Sequence, residues 1–161
     1  MTVDRAPERP RVVLYSASLV VPITAPPIVE GAIAVAGGRI RHVGDREWVR
    51  HELRQRGVEF AEVHWPGILT PGLVNAHSHL QYTGMAAVGR GSYAGFEEWA
   101  AAFQPVYESG LDWAMDAKTG AAQMIAAGTT SVADVVTDVE AASALHDARL
   151  HGITYWEVMS W

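Results

Sequence analysis

Two histidines one residue apart, His77 and His79, close an apolar run that reads Ile68-Leu69-Thr70-Pro71-Gly72-Leu73-Val74-Asn75-Ala76-His77-Ser78-His79-Leu80. In a strand, side chains alternate between faces, so residues i and i+2 point the same way. At a rise of about 3.3 Å per residue, the two imidazoles start roughly 7 Å apart. Rings converging from that separation reach a shared metal ion at about 2.0–2.1 Å. The pattern therefore predicts a strand whose carboxyl end presents two nitrogen ligands. Pro71-Gly72 restarts the chain before Leu73-Val74-Asn75-Ala76, and the polar stretch Gln81-Tyr82-Thr83-Gly84 ends the strand just past the pair. Parallel α/β folds place their chemistry at that end of a strand.

Before the pair, the chain reads as β-rich. Arg11 to Val21 is a strand, broken by Pro22 to Pro27. Ile28 to Ala36 and Arg39 to Val43 form a hairpin around Gly37-Gly38. Asp45 caps a helix over Arg46 to Arg56, stopped by Gly57. Val58 to His64 is a further strand reaching Trp65-Pro66-Gly67. After the pair, strands alternate with helices. Phe96 to Phe103 is a helix kinked or ended at Pro105. Leu111 to Ala127 is a longer helix stopped by Gly128, and Thr129 to Val136 is a buried strand. Thr137 or Asp138 caps a helix through Leu150, Gly152 stops it, and Ile153 to Met159 is the next strand. That rhythm belongs to α/β folds with a parallel sheet. The expected division is residues 1–67 as a β-rich domain and residues 68–161 as the first β/α units.

Other candidates carry weaker signals. Gln81 follows His79 by two residues and is either a substrate hydrogen-bonding group or a solvated loop amide. Trp99 either lines a substrate pocket or packs in the core. Asn75 shares the parity of the histidines but lies deeper, where packing or support of a ligand is expected. Asp134, near the end of its strand, orients a histidine or caps the loop; the structural part is the one expected. Glu157 interrupts an apolar strand and either meets substrate or pairs with a cation. The histidines at 42, 51, 64, 146 and 151 lack ligand spacing with one another. The spacing of Gly72 from His77, with no carboxylate between Tyr82 and Gly84, excludes a cupin-type His-x-His site. Gly89-Arg90-Gly91-Ser92 lacks the Lys-Ser/Thr of a phosphate loop, and no Gly-x-Ser-x-Gly elbow supports serine catalysis.

Taken together, the Pro-Gly, four residues and His-x-His resemble the first-strand signature of the metal-dependent amidohydrolase superfamily. Gly128-Thr129-Thr130-Ser131-Val132-Ala133-Asp134 resembles the second barrel strand of its cytosine-deaminase and chlorohydrolase-like branch. Phe96-Glu97-Glu98-Trp99, with Pro105 and Glu108, resembles the loop and helix between those strands. Tyr155-Trp156-Glu157-Val158 and the His-Leu-Gln step look most like the aminodeoxyfutalosine deaminase and adenosine-analogue group, with chlorohydrolase, guanine deaminase and imidazolonepropionase-like activities left open by the resemblance. The resemblance covers essentially the whole chain and implies the opening part of a (β/α)8 barrel, preceded by part of a composite β-sandwich whose remaining strands come from a distant carboxyl terminus. It implies that His77 and His79 hold Zn2+, or Fe2+, with a third His and an Asp from later strands. It further implies hydrolysis of a carbon–nitrogen bond, with a metal-bound hydroxide deaminating an aminated heterocycle or nucleoside-like compound. The acid–base residues are expected on later strands, which makes the chain alone inactive. The alternative is a catalytically incomplete fragment serving as a binding or assembly partner.

Length and composition narrow the classes. A complete barrel of this kind takes about 250 residues, whereas the chain has 161; the expectation is the amino-terminal portion of a longer enzyme, homo-oligomeric at full length. Hydrophobic residues make up 49% and charged residues 19%, a core-forming balance. A net charge of −6, with arginines 39 to 56 interleaved among acids on a solvated hairpin and helix face, argues against nucleic acid. The absence of cysteine excludes disulfides and thiolate ligands within the chain. No run approaches the roughly 20 apolar residues of a membrane helix. The polar start, Met1 to Pro10, is unlike a signal peptide, so the expected setting is cytoplasmic, with a small heterocyclic substrate and neither membrane nor nucleic-acid partner.

Overall fold

The computed structural model describes residues 12–158. Arg11, the polar stretch Met1 to Pro10, and Met159 to Trp161 at the end of the last expected strand lie outside the described residues. The chain divides into two compact units, Met1–Pro71 and Gly72–Trp161, against an expected division after Gly67.

The first unit contains β1 (Val12–Val20), β2 (Ile28–Ala36), β3 (Arg39–Asp45), α1 (Arg46–Gln55) and β4 (Phe60–Leu69). Its sheet runs β3-β2-β1-β4. The β1–β2 and β2–β3 pairs are antiparallel, and β4 lies parallel to β1. Gly37 and Gly38, at φ 57° and 71°, make the turn between β2 and β3 that side chains would resist. Asp45 Oδ1 accepts the Trp48 N–H at 3.0 Å, which satisfies an otherwise unpaired amide of the first turn of α1. One turn apart on α1, Val49 and Leu53 are buried with Val12, Leu14, Ala32 and Ala34 of the sheet. Burying each of the two is worth about 1.5–3 kcal/mol.

The last strand of this unit is longer than expected, because β4 continues through Pro66 to Leu69. Proline is tolerated there for two reasons. The strand is outermost in the sheet, where a missing N–H costs little. The register also shifts: Ala17 pairs with Trp65 and Leu19 with Ile68, so β4 carries one extra residue, a bulge at Pro66-Gly67. A second departure concerns the arginines. Arg46 and Arg50 are not on a freely solvated face; their side chains are 27% and 24% exposed and converge on Glu62. The Glu62 carboxylate accepts from Ser16 Oγ, Arg46 Nε and Arg50 Nε, each at 2.8 Å.

The second unit contains β5 (Leu73–Ser78), a 3-10 turn (Leu80–Met85), α2 (Ala86–Gly89), α3 (Phe96–Tyr107), α4 (Trp113–Ala126), β6 (Thr129–Val136), a 3-10 turn (Val139–Ala141), α5 (Ala144–Asp147) and β7 (His151–Trp156). The strands form a parallel sheet in the order β5-β6-β7. Its core gathers Leu80, Ala117, Ala121, Val132, Val136 and Leu145. Gly120 lets α4 pack close to the turn after β5, since a Cβ there would lie 2.7 Å from the Leu80 carbonyl oxygen.

Three expectations in this unit need correction. First, α3 runs past Phe103 to Tyr107 with Pro105 inside it. Pro105 lies in the last turn, so it forfeits one ladder bond, and Glu108 N–H still closes on Gln104 O at 3.0 Å. Second, the helix expected from Asp138 to Leu150 is two short pieces. Asp138 makes no capping bond to the turn that follows it, because its carboxylate is held by side chains from elsewhere. Third, Gly152 is not a helix stop but a residue of β7, at φ 147°. A Cβ at this position would collide with the Val132 carbonyl oxygen of β6.

Two outcomes follow. Gly152→Ala should destabilise the chain by more than the about 1–3 kcal/mol typical of backbone strain alone, since the collision adds to it; chemical denaturation measures the loss. Burial pushes the Glu62 carboxyl up, but the hydrogen bonds from Arg50, Ser16 and Arg46 outweigh it and hold the group below its usual value. The stabilisation is therefore present above the unfolded value of about 4.3 and is lost as pH falls through the folded value. Glu62→Ala should cost about 1–3 kcal/mol at pH 7 and less in acid, giving a shallower acid limb in thermal melts.

Candidate metal and substrate site

The histidine pair does not sit on a regular strand. Asn75 pairs with Val132 and Ser78 with Asp134, so β5 carries one more residue than β6 over this stretch. The extra residue makes a bulge at Ala76-His77, a device that re-aims side chains beside functional sites. Asn75 Oδ1 accepts the His77 N–H at 3.2 Å, giving a partner to an amide that the bulge takes off the ladder. His79 follows the strand as the residue that precedes the 3-10 turn. Bulge and turn bring the imidazoles to a centroid separation of 5.2 Å at 73° between planes.

Asp134 on the central strand fixes the other side of the pair. Its Oδ1 accepts the Leu80 N–H at 2.9 Å, and the residue is fully buried. Burial pushes its carboxyl up, partly offset by the Leu80 amide, Ser78 and the nearby His79. Asp134 Oδ2 and His79 Nδ1 are both buried without a hydrogen-bond partner. Orphaned buried polar atoms are costly and call for a functional explanation. Two imidazoles with this spacing fit two positions of a zinc or iron centre, which takes three protein ligands or more. Among the described residues no group of three or more His, Asp or Glu side chains is arranged to hold a metal. The described residues thus bring two imidazoles together with no third donor beside them.

An aromatic wall faces His79. Its ring stacks on Tyr82 at 4.8 Å and 11°. Tyr82 meets the edge of Phe103 at 5.3 Å, and Phe103 lies 4.8 Å from Trp99 and 5.5 Å from Tyr107. Phe96, Trp99, Phe103 and Tyr107 recur at helical spacing along one face of α3. This helix contains no buried residue; its aromatic face borders a cleft of about 330 Å³ lined by His79, Tyr82, Trp99, Phe103, Gln104 and Glu157. Trp99, expected either at a pocket or in the core, is half-buried in this cleft wall.

Gln81 is in a different position from either expectation. It is fully buried. Its Nε2 donates to Thr137 Oγ1 at 2.6 Å and Asp138 Oδ2 at 2.9 Å, and its Oε1 accepts the Thr137 N–H at 3.2 Å. Tyr107 O–H reaches the same Asp138 oxygen at 3.0 Å. Burial pushes the Tyr107 phenol up, and the Asp138 carboxylate adds to the rise. Tyr82, Phe103, Tyr107 and the Thr137-Asp138 step are the residues sequence reasoning missed. The spacing of four aromatics along α3 was the available signal for the first group. Nothing local marked Thr137-Asp138, whose partners lie 56 and 57 positions away.

The amidohydrolase family profile matches residues 68–158. No curated protein matches the chain. Among solved structures, an adenosine deaminase from Xanthomonas campestris with bound zinc is similar at 24% identity and TM-score 0.63, covering 91% of this chain and 34% of that one. A Helicobacter pylori aminofutalosine deaminase in complex with methylthio-coformycin gives 17% identity and TM-score 0.71, covering 91% and 35%. A guanine deaminase from C. acetobutylicum with bound guanine gives 16% and 0.70, covering 89% and 35%. The chain thus spans about a third of the length of each. The likeness shows the fold: the parallel strands β5, β6 and β7 are opening strands of a TIM-like barrel, preceded in the sequence by a β-rich segment. With more than half of its residues matched by the family profile, the chain belongs to the amidohydrolase family and corresponds to an amino-terminal portion of its solved members.

Proposed function

We propose that this chain supplies two metal ligands and one wall of the substrate cleft to a metal-dependent hydrolase of carbon–nitrogen bonds, acting on an aminated heterocycle or nucleoside-like compound. The observation that carries the reading is the pairing of His77 and His79 at the carboxyl end of β5, beside an aromatic cleft. Family membership supports the hydrolytic class, and the deaminases among the similar structures support ring deamination. When bound, a zinc or iron ion would acidify a water molecule towards neutral pH. Residues 1–67 are proposed as part of a composite sandwich domain and residues 68–161 as the first barrel units. The setting is cytoplasmic and the assembly a homo-oligomer.

Within that reading the residues divide the work by position. His77 and His79 hold the metal. Asn75 and Asp134 hold the backbone on either side of the pair, through the His77 and Leu80 amides. Trp99 offers a stacking face to a planar ring. Gln81 was expected at the substrate, but its amide is already bonded to Thr137 and Asp138; we assign it a positioning part, tying the turn after β5 to the loop after β6. A second reading, an assembly partner without turnover, is favoured by the exposure of Val74, Ile153 and Tyr155 at 71%, 57% and 50%.

In the full-length protein, His77→Ala and His79→Ala should each abolish metal content and ammonia release from aminated purines, pyrimidines and triazines. Stoichiometric metal in either variant would sink the assignment. If ring amines are inert while an amide or chloro-heterocycle is hydrolysed, the hydrolase class stands and deamination does not. Gln81→Ala should retain metal and lose about 1–3 kcal/mol of stability, the cost of leaving buried polar groups unpaired. An unchanged melting temperature with a raised KM would instead make Gln81 a substrate contact.

A further inference from the structure

The cleft beside the histidine pair carries a charge that the proposed reaction does not use. Glu157 follows β7 directly, and its backbone N–H bonds to Val136 O at 2.9 Å, which extends the β6–β7 ladder to the rim of the cleft. Its side chain lines the cleft with His79, Tyr82, Trp99 and Phe103. No Lys or Arg lines this cleft among the described residues. The Glu157 carboxylate makes no ion pair there either, since every salt bridge among the described residues lies in the first unit. The surrounding walls are aromatic and low in polarity, and the carboxylate stands at their solvent-exposed rim. Burial pushes the Tyr82 and Tyr107 phenols up, the Thr137 hydroxyl partly offsets this in both, and the Asp138 and Glu157 carboxylates add smaller upward pushes.

We infer that Glu157 is a specificity-determining residue, selecting planar substrates that carry a cationic or N–H-rich substituent and disfavouring those that carry a carboxylate or phosphate. The inference rests on the proposed use of this cleft as the substrate site and names the charge class of its ligand. Aromatic faces accept any flat ring through stacking and area, so they discriminate poorly among heterocycles. A carboxylate at the rim discriminates strongly by sign: it receives an amidinium or amine as a charge-assisted hydrogen bond and repels an anion. Glu157 itself is solvent-exposed and makes no side-chain hydrogen bond among the described residues, so its replacement leaves the side-chain hydrogen bonds of those residues in place.

The test uses the full-length, metal-loaded protein and three flat probes of matched size: benzamidinium, neutral benzamide and benzoate. Dissociation constants are measured by calorimetry for the parent protein, E157Q and E157K. Each probe is compared with itself across the variants, so any attraction of benzoate to the metal cancels. Benzamidinium should weaken about tenfold in E157Q at low salt and further in E157K, benzamide should not change, and benzoate should tighten in E157K. Benzamidinium affinity that is the same in all three proteins overturns the inference, as does a parallel change in all three probes or a failure of every probe to bind. Charge selectivity without ammonia release refutes deamination and leaves this inference standing; ammonia release with no charge selectivity does the reverse.

Discussion

The hydrogen bond from the Leu80 amide to the Asp134 carboxylate is the contact on which the geometry of the second unit turns. Asp134 lies on β6, the central strand, opposite Ser78 on one side and Thr154 on the other. By taking the first amide of the turn that follows β5, it decides where that strand stops. It thereby places His79 at the junction of strand and turn instead of one residue further along a flat ribbon. A buried carboxylate is an expensive way to do this. Asp134 satisfies one oxygen and leaves the other without a partner, beside a histidine nitrogen in the same condition. Buried polar atoms are as a rule hydrogen-bonded, which sets these two apart among the described residues.

A second tie holds the ends of β5 and β6 together from behind the cleft. Gln81 fills the space between the turn after β5 and the Thr137-Asp138 step after β6, and Tyr107 joins them from α3. The network joins the turn after β5 and α3, which both line the cleft, to the loop after β6 through one carboxylate oxygen. Side-chain networks of this kind are worth having only when each member is satisfied, and here the amide of Gln81 uses its oxygen and its nitrogen. Among the described residues, α3 buries no side chain, and ring contacts and this hydroxyl tie it to the turn after β5 and the loop after β6.

The first unit solves its own problem with similar means. A short helix, α1, covers one face of its sheet with Val49 and Leu53 and turns two arginines towards Glu62. That carboxylate links β4 to β1 through Ser16 and to α1 through Arg46 and Arg50. Charge that composition assigns to the solvated surface is thus spent on tying an outer strand into place.

Much of this was legible in the residues themselves. The turn at Gly37-Gly38, the cap at Asp45, the strand Thr129–Val136 and the alternation of strands and helices are local signals, encoded within a few positions, and the structure follows them. The His-x-His pair and its place at the carboxyl end of a strand were likewise written in a short window. What local sequence could not decide were the outcomes set by partners far along the chain. The bulge at Ala76-His77 exists because β5 must register with β6, and the bulge at Pro66-Gly67 because β4 must register with β1. Asp138 reads as a helix cap and serves as an acceptor for Gln81 and Tyr107. Gly152 reads as a helix stop and is needed because the Val132 carbonyl passes where its Cβ would be. Capping, turn and alternation energies act over a few residues, so a sequence determines them by itself. Register, close backbone approach and the pairing of buried polar groups are settled only when distant segments meet.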